Sequence, residues 1–314
     1  MSPTNAATYP VQRCKTHEVR AVPKLEGDVV IRAEATATRR LKPVLAFFAS
    51  VFFVGLGLAY VGKPRLGVAA VAAVYGAVAL FSWTRLVVST PYGCWLVAGV
   101  LLLIVAATAI GAAVVAVRSP LVTVNSYNRW FFYLLWILMV FALSLTAYRI
   151  RERVFGYGTY RVPSVSMSLT VENGEYFIAD TWRYPAHKPA EGEIVVLELA
   201  DGTGVRYLKR IVGLPGDRIE IRDRVLYRNG EPVAEPYTRP LDNIHFYGRN
   251  FGATTVEAGK VFVLGDNRDN SKDSRAWGTI PINQLRGRAE FIWFSKSTSG
   301  ILWNRIGTRL SPEN

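Results

Sequence analysis

The sequence predicts a multi-pass α-helical membrane region followed by a mainly antiparallel β domain, and three observations carry that division. Residues 43–150 contain no Asp or Glu and only six basic residues. Within them lie four apolar segments, residues 44–61, 66–83, 94–117 and 130–148, each near the roughly 20 residues a helix needs to cross a bilayer. After Arg153 the texture changes to short β-patterned runs parted by turn signals such as Asn173-Gly174, Pro215-Gly216 and Asn229-Gly230.

Charge supports the same division. The 314 residues are 50% hydrophobic and carry 37 Lys plus Arg against 24 Asp plus Glu, a formal net charge of +13, which excludes a disordered chain. Residues 1–150 hold 14 basic and 4 acidic residues, whereas residues 151–314 hold 23 and 20. In the first half Lys63, Arg65, Arg85, Arg118, Arg129 and Arg149 punctuate or edge apolar runs. A nucleic-acid binder clusters its cations on a folded polar face, so no nucleic-acid partner is expected and the lipid bilayer is.

Residues 1–42 read as a polar tail ending in the basic run Arg39-Arg40-Leu41-Lys42. The tail lacks the short apolar core and small-residue exit of a cleavable leader, and no cleavage is expected. Aromatic residues near the segment ends, among them Tyr60, Trp83, Trp95, Trp130 and Tyr148, mark an interfacial belt. Orientation stays open. Basic residues flank both the tail and the exit of the last segment, and one of the first segments is re-entrant or the count is three or five. The glycines at 55, 57, 62 and 67 have no βαβ unit around them and read as helix packing with a tight Lys63-Pro64-Arg65 turn, not as a nucleotide fingerprint.

The β domain is placed at residues 151–314, after the tail (1–42) and the membrane region (43–150). Its strands are expected near 176–179, 193–199, 218–221, 225–227, 261–264 and 289–293. At about 160 residues the domain is long enough to bury a core of its own. The cysteines, Cys14 and Cys94, both precede this region, which excludes a disulfide framework or a cysteine-based zinc site within it. His17, His187 and His245 each stand alone, so a Ser/His/Asp triad would require distant folding, and no metal-ligating spacing occurs.

Three clusters are unusual for a structural module: PSVSMSLT at 163–170, RYLKRIVGLPGD at 206–217 and GDNRDNSKDSRAWG at 265–278. The acids Asp266, Asp269 and Asp273 suggest calcium, but the spacing misses the EF-hand loop, and interleaved Arg268, Lys272 and Arg275 favour internal Asp/Arg pairs. Serine with lysine remains. A serine hydroxyl needs a base, and lysine serves only when burial or neighbouring positive charge keeps it neutral. Strand alternation puts Lys209 on a half-apolar face, where it either acts as that base or snorkels to water.

Taken together, the clusters resemble the bacterial type I signal peptidases, membrane-bound Ser/Lys endopeptidases that remove leader segments from exported proteins. The resemblance rests on SxSM at 164–167, KRxxGxPGD at 209–217 and GDNRxNSxDSRxWG at 265–278, in family order. It implies Ser166 as nucleophile and Lys209 as general base. Ser164, with the Ser166 backbone N–H, would form the oxyanion hole, Ser271 would orient the lysine, and Asp273 with Arg275 would support the site. It also implies a β catalytic domain on the outer (periplasmic) face of the bacterial cytoplasmic membrane, with no metal and no cofactor. The implied partners are signal-peptide-bearing preproteins cut after Ala-X-Ala and the secretion translocon.

Two residues depart from the family pattern. Val165 stands for the usual Gly, and Leu169 for the usual Pro, which is expected to loosen the loop after the nucleophile and to narrow the substrate range. Phe291, Trp293, Ile301, Leu302 and Trp303 either dip into the bilayer surface or fill the core. A dedicated peptidase for one substrate and a membrane scaffold with a dead peptidase fold are the rival readings. The presence of both Ser166 and Lys209 speaks against the scaffold.

Overall fold

A computed structural model describes residues 38–123, 129–238 and 249–312. The tail up to residue 37, with Cys14 and His17, and the stretch holding His245 lie outside the described residues.

Among the described residues, three helices are long and apolar enough to cross a bilayer: α3 (Pro64–Trp83), α5 (Gly93–Arg118) and α6 (Trp130–Val154), of 20, 26 and 25 residues. At about 1.5 Å per residue, even the shortest matches a hydrocarbon core of about 30 Å. Pro64 occupies the start of α3, where its missing N–H has no intrahelical partner to lose.

The apolar segment at 44–61, expected as a fourth span, is divided into α1 (Pro43–Phe52) and α2 (Leu56–Tyr60). The cause is local. Gly55 takes φ 79°, a left-handed turn that ends the first helix, and a Cβ there would lie 2.3 Å from the carbonyl oxygen of Gly67. The hairpin returns to its starting end, where the Lys42 N–H donates to the Tyr60 hydroxyl at 3.0 Å. The segment thus makes a helical hairpin, which leaves three long apolar helices among the described residues.

That count settles which ends meet. A short ribbon pairs β1 (Thr38–Arg40) with β2 (Leu121–Thr123), after α5, so the tail exit and the α5–α6 connection share one end of the bundle. Arg39, Arg40, Lys42, Lys63, Arg65, Arg118 and Arg129 gather there. The β domain stands at the opposite end, entered from α6. A short helix α4 (Leu86–Ser89) in the α3–α5 connection also faces it.

The domain is antiparallel throughout. Seven strands form one sheet: β3 (Tyr157–Arg161), β4 (Tyr176–Asp180), β5 (Ile194–Glu198), β6 (Arg206–Gly213), β11 (Lys260–Leu264), β12 (Ile280–Pro281) and β13 (Leu285–Phe294), ordered β12-β11-β6-β5-β13-β4-β3. A second sheet has the order β10-β7-β8-β9, from β7 (Arg218–Arg222), β8 (Val225–Arg228), β9 (Glu231–Pro232) and β10 (Phe251–Thr255). Apolar residues on the two sides of the large sheet bury into separate clusters. Met167, Phe177, Val196 and Ile292 pack on one side, and Val195, Leu197, Ile211 and Val263 on the other.

Among the described residues, two of the open strand edges flank the motif clusters. β3 ends the sheet order, and β6 is paired by β5 along Arg206–Arg210 but by β11 only from Arg210 onward. The clusters that resemble a peptidase converge between these edges.

Candidate active site

Ser166 follows β3 in a turn whose neighbour Met167 is sunk into the core at 1% exposure, which fixes the serine's position from behind. Lys209 lies midway along β6, opposite Val195 of β5, so its backbone is held by regular pairing. The two meet. Lys209 Nζ is 2.8 Å from Ser166 Oγ, and the side chains are buried, at 2% and 8% residue exposure. Nζ also donates to the Leu208 carbonyl at 2.9 Å, and the Ser164 and Ser166 hydroxyls are 3.2 Å apart.

Burial disfavours the ammonium form and brings the Lys209 pKa from 10.5 down to about 8. The carboxylates of Asp273 and Asp266 oppose that shift, and the Arg275 guanidinium adds to it. A lysine near 8 is neutral in roughly half of the molecules at pH 8, against well under one per cent at 10.5. The pair can therefore pass a proton from hydroxyl to amine under mild conditions.

The third cluster wraps behind the pair. Asn267 donates its backbone N–H to the Ser166 carbonyl at 3.1 Å and its side-chain amide to the Val165 carbonyl at 3.0 Å. Gly265 permits this approach, since a Cβ there would sit 2.5 Å from the Ser166 carbonyl oxygen and 2.2 Å from Ser271 Oγ. Asp273 and Arg275 pair at 2.8 and 2.9 Å, and Asp273 also accepts the Gly265 N–H at 3.1 Å. Asp266 accepts from Arg210 and from Thr170 Oγ1 at 2.5 Å. Each acid of the cluster faces an arginine, but only the Asp273–Arg275 pair is internal to it: Asp266 meets Arg210, Asp269 reaches Arg224 at 3.9 Å, and Arg268 turns to Glu235 at 2.8 Å.

Two sequence expectations meet a different geometry. Ser271 is buried beside the pair, yet its Oγ has no hydrogen-bond partner among the described residues, and the bond orienting Lys209 is made by the Leu208 carbonyl. The loop after the nucleophile takes a path that the family's usual proline could not follow. Leu169 has φ 90°, a conformation closed to proline, and its N–H donates to Glu172 Oε1 at 2.9 Å. His187 is exposed at the end of a short helical turn (Arg183–Ala186).

A cleft of about 360 Å³ opens at the pair. Its apolar walls include Val162, Phe177, Val196 and Leu208, and its rim carries Arg161, Arg206 and Lys272. Arg206 NH1 donates to Glu152 in the last turn of α6 at 2.7 Å and to the Tyr160 hydroxyl at 3.0 Å. Burial, then the adjacent Glu152, push the Tyr160 hydroxyl up to about 12. Asn267, Arg210, Thr170 and Glu152 escaped sequence reasoning. The first three sit inside motifs already singled out, and Glu152 is the first acid after residue 42.

Of the aromatic and aliphatic residues read two ways, Phe291 is core at 1% exposure, whereas Ile301 and Trp303 are exposed. Trp293 packs on Tyr176 and on Trp95.

A family model described as signal peptidase, peptidase S26, matches residues 133–294. The chain belongs to that family. The match begins within α6 and runs to the end of β13, so it takes in Ser166, Lys209 and the cluster behind them and makes the chain a peptidase by membership. A probable signal peptidase I-1 of Synechocystis sp. is 34% identical over 154 residues, covering 47% of this chain and 74% of that one. The signal peptidase I of Bacillus caldolyticus is 38% identical over 148 residues, covering 44% of this chain and 80% of that one. The solved structure of a signal peptidase I from Enterococcus faecalis is 32% identical, covering 32% of this chain and 96% of that chain, with a TM-score of 0.28. The three long apolar helices suit membrane anchoring, and all but α6 precede the matched region.

Proposed function

We propose that this member of the signal peptidase family cleaves preproteins after Ala-X-Ala with a Ser166/Lys209 dyad. The observation that carries the proposal is the buried 2.8 Å contact between Lys209 Nζ and Ser166 Oγ, with the lysine pKa brought down to about 8. Neutral Lys209 takes the hydroxyl proton as Ser166 Oγ bonds to the scissile carbonyl carbon. It returns that proton to the leaving amine as the C–N bond breaks, and water then hydrolyses the ester by the same route. Ser164 Oγ and the Ser166 N–H stabilise the oxyanion, whose charge appears only in the tetrahedral intermediate. Asp273 and Arg275 support the cluster behind the pair, and Ser271, its hydroxyl unpartnered, is the group free to take a bond from Lys209 once substrate is bound.

The open edges of β3 and of β6 along residues 206–209 suit an extended peptide that adds as a strand and lays small side chains into the apolar cleft. Seven basic residues at the tail end of the bundle support a cytoplasmic tail and, three spans away, a β domain on the outer face of the cytoplasmic membrane. Substrate would then arrive from the secretion translocon. The test is cleavage of a preprotein with an Ala-X-Ala site by the detergent-solubilised full chain, with the product's new N-terminus sequenced. Cleavage at the site that disappears in Ser166→Ala is the expected result; cleavage retained in that variant contradicts the dyad.

A further inference from the structure

The α3–α5 connection, which precedes the region matched by the family, makes a built joint with the β domain. Arg85 pairs with the buried carboxylate of Asp180, the last residue of β4, and its guanidinium lies 5.8 Å from the Trp182 ring. Beside this pair, Val87 and Val88 of α4 bury against Ile178 of β4, with Tyr157 and Trp293 packed around them. Trp95, at the start of α5, meets Trp293 at 6.4 Å.

A second attachment comes from α6. The Trp182 indole donates to the Arg153 carbonyl at 2.8 Å, and Thr181 Oγ1 donates to the Glu152 carbonyl at 2.5 Å. One helix end alone leaves a domain free to swing about the α6–β3 link. Two attachments on different helices, converging on residues 180–182, remove that freedom. The held strand also matters. Asp180 is in register with Tyr157 of β3, and Tyr160 and Arg161 of the same strand line the cleft beside Ser166.

We propose that the Arg85–Asp180 joint fixes the height and tilt of the cleft above the bilayer, so that the α3–α5 pair selects substrates by the length of their membrane-spanning apolar segment. The proposal rests on the signal-peptidase reading above. A helical apolar segment longer by three residues carries the scissile bond about 4.5 Å further from its membrane anchor. A cleft held at one height accepts few such positions, whereas a swinging one accepts many. Arg85 is a positioning residue and touches no reacting atom.

The experiment uses the full chain reconstituted in phospholipid vesicles, with preproteins whose leucine segments lengthen one residue at a time, beside a short soluble Ala-X-Ala peptide. Arg85→Asn removes the charge while tolerating the left-handed backbone at this position, where φ is 59°. Arg85→Lys keeps the charge. The expected result is unchanged cleavage of the soluble peptide by both variants, a sharp length optimum in wild type, and a profile flattened by about tenfold at its edges in Arg85→Asn and recovered in Arg85→Lys. A profile in Arg85→Asn that superimposes on wild type overturns the joint as a ruler, as does loss of the soluble-peptide activity. Failure of wild type to cleave any of the substrates removes the signal-peptidase reading itself, a separate outcome.

Discussion

Arg210 holds Asp266 through two hydrogen bonds, at 2.9 and 2.6 Å, and so ties the strand that carries Lys209 to the loop that backs Ser166. Asp266 in turn accepts from Thr170, four residues past the serine. Both members of the pair are buried, which makes the loss of one partner costly, because the other is left as an uncompensated charge. Asp266→Ala is expected to destabilise the protein by about 3–5 kcal/mol. Denaturant unfolding of the solubilised chain checks this, and a loss below about 1 kcal/mol would show that the pair is not what joins the two elements.

The hydroxyl of Ser164 lies 3.2 Å from that of Ser166 and is the side-chain donor proposed for the oxyanion. Ser164→Ala should lower kcat by about 100- to 1,000-fold with little change in KM, since the bond matters only when charge has developed. Steady-state kinetics on a peptide substrate separate the two constants. A rise in KM at constant kcat would assign Ser164 to substrate binding instead.

Leu169 makes a sharper test of the loop after the nucleophile. Its φ of 90° and its N–H bond to Glu172 are both denied to proline, the usual family residue. Leu169→Pro is therefore expected to destabilise by more than about 1 kcal/mol, whereas Leu169→Gly, which relieves the positive φ, should be neutral or stabilising. Thermal unfolding of the two variants side by side decides it. A stabilising proline would mean that the loop follows the family path after all.

The chemistry of the site was more legible in the sequence than its mounting. Ser166, Lys209, Asp273 and Arg275 stood out because they lie in short fixed motifs, and the structure brings all four together. Ser271 lies in the same motif, but its Oγ makes no bond to Lys209, and spacing alone does not reveal which way a small hydroxyl turns. Hydropathy found α3, α5 and α6 but merged α1 with α2, because a sum over residues cannot register the left-handed turn at Gly55. β3 was missed, its Tyr-Gly-Thr-Tyr-Arg run having little apolar alternation. The Arg85–Asp180 pair joins residues 95 positions apart in separate regions and has no local signature at all.

The central claim is that neutral Lys209 is the base for Ser166, and the pH dependence of kcat/KM for the solubilised full chain tests it most directly. The charged amine cannot accept a proton, so activity is absent well below the lysine pKa and rises as pH passes through it, here about 8. Lys209→Ala, measured alongside, should lose at least about 100-fold in rate and the rise with it. An ascending limb near pH 8 that vanishes in this variant is the predicted result. A profile flat from pH 6 to about 10, or one that Lys209→Ala leaves intact, would contradict the assignment of the base.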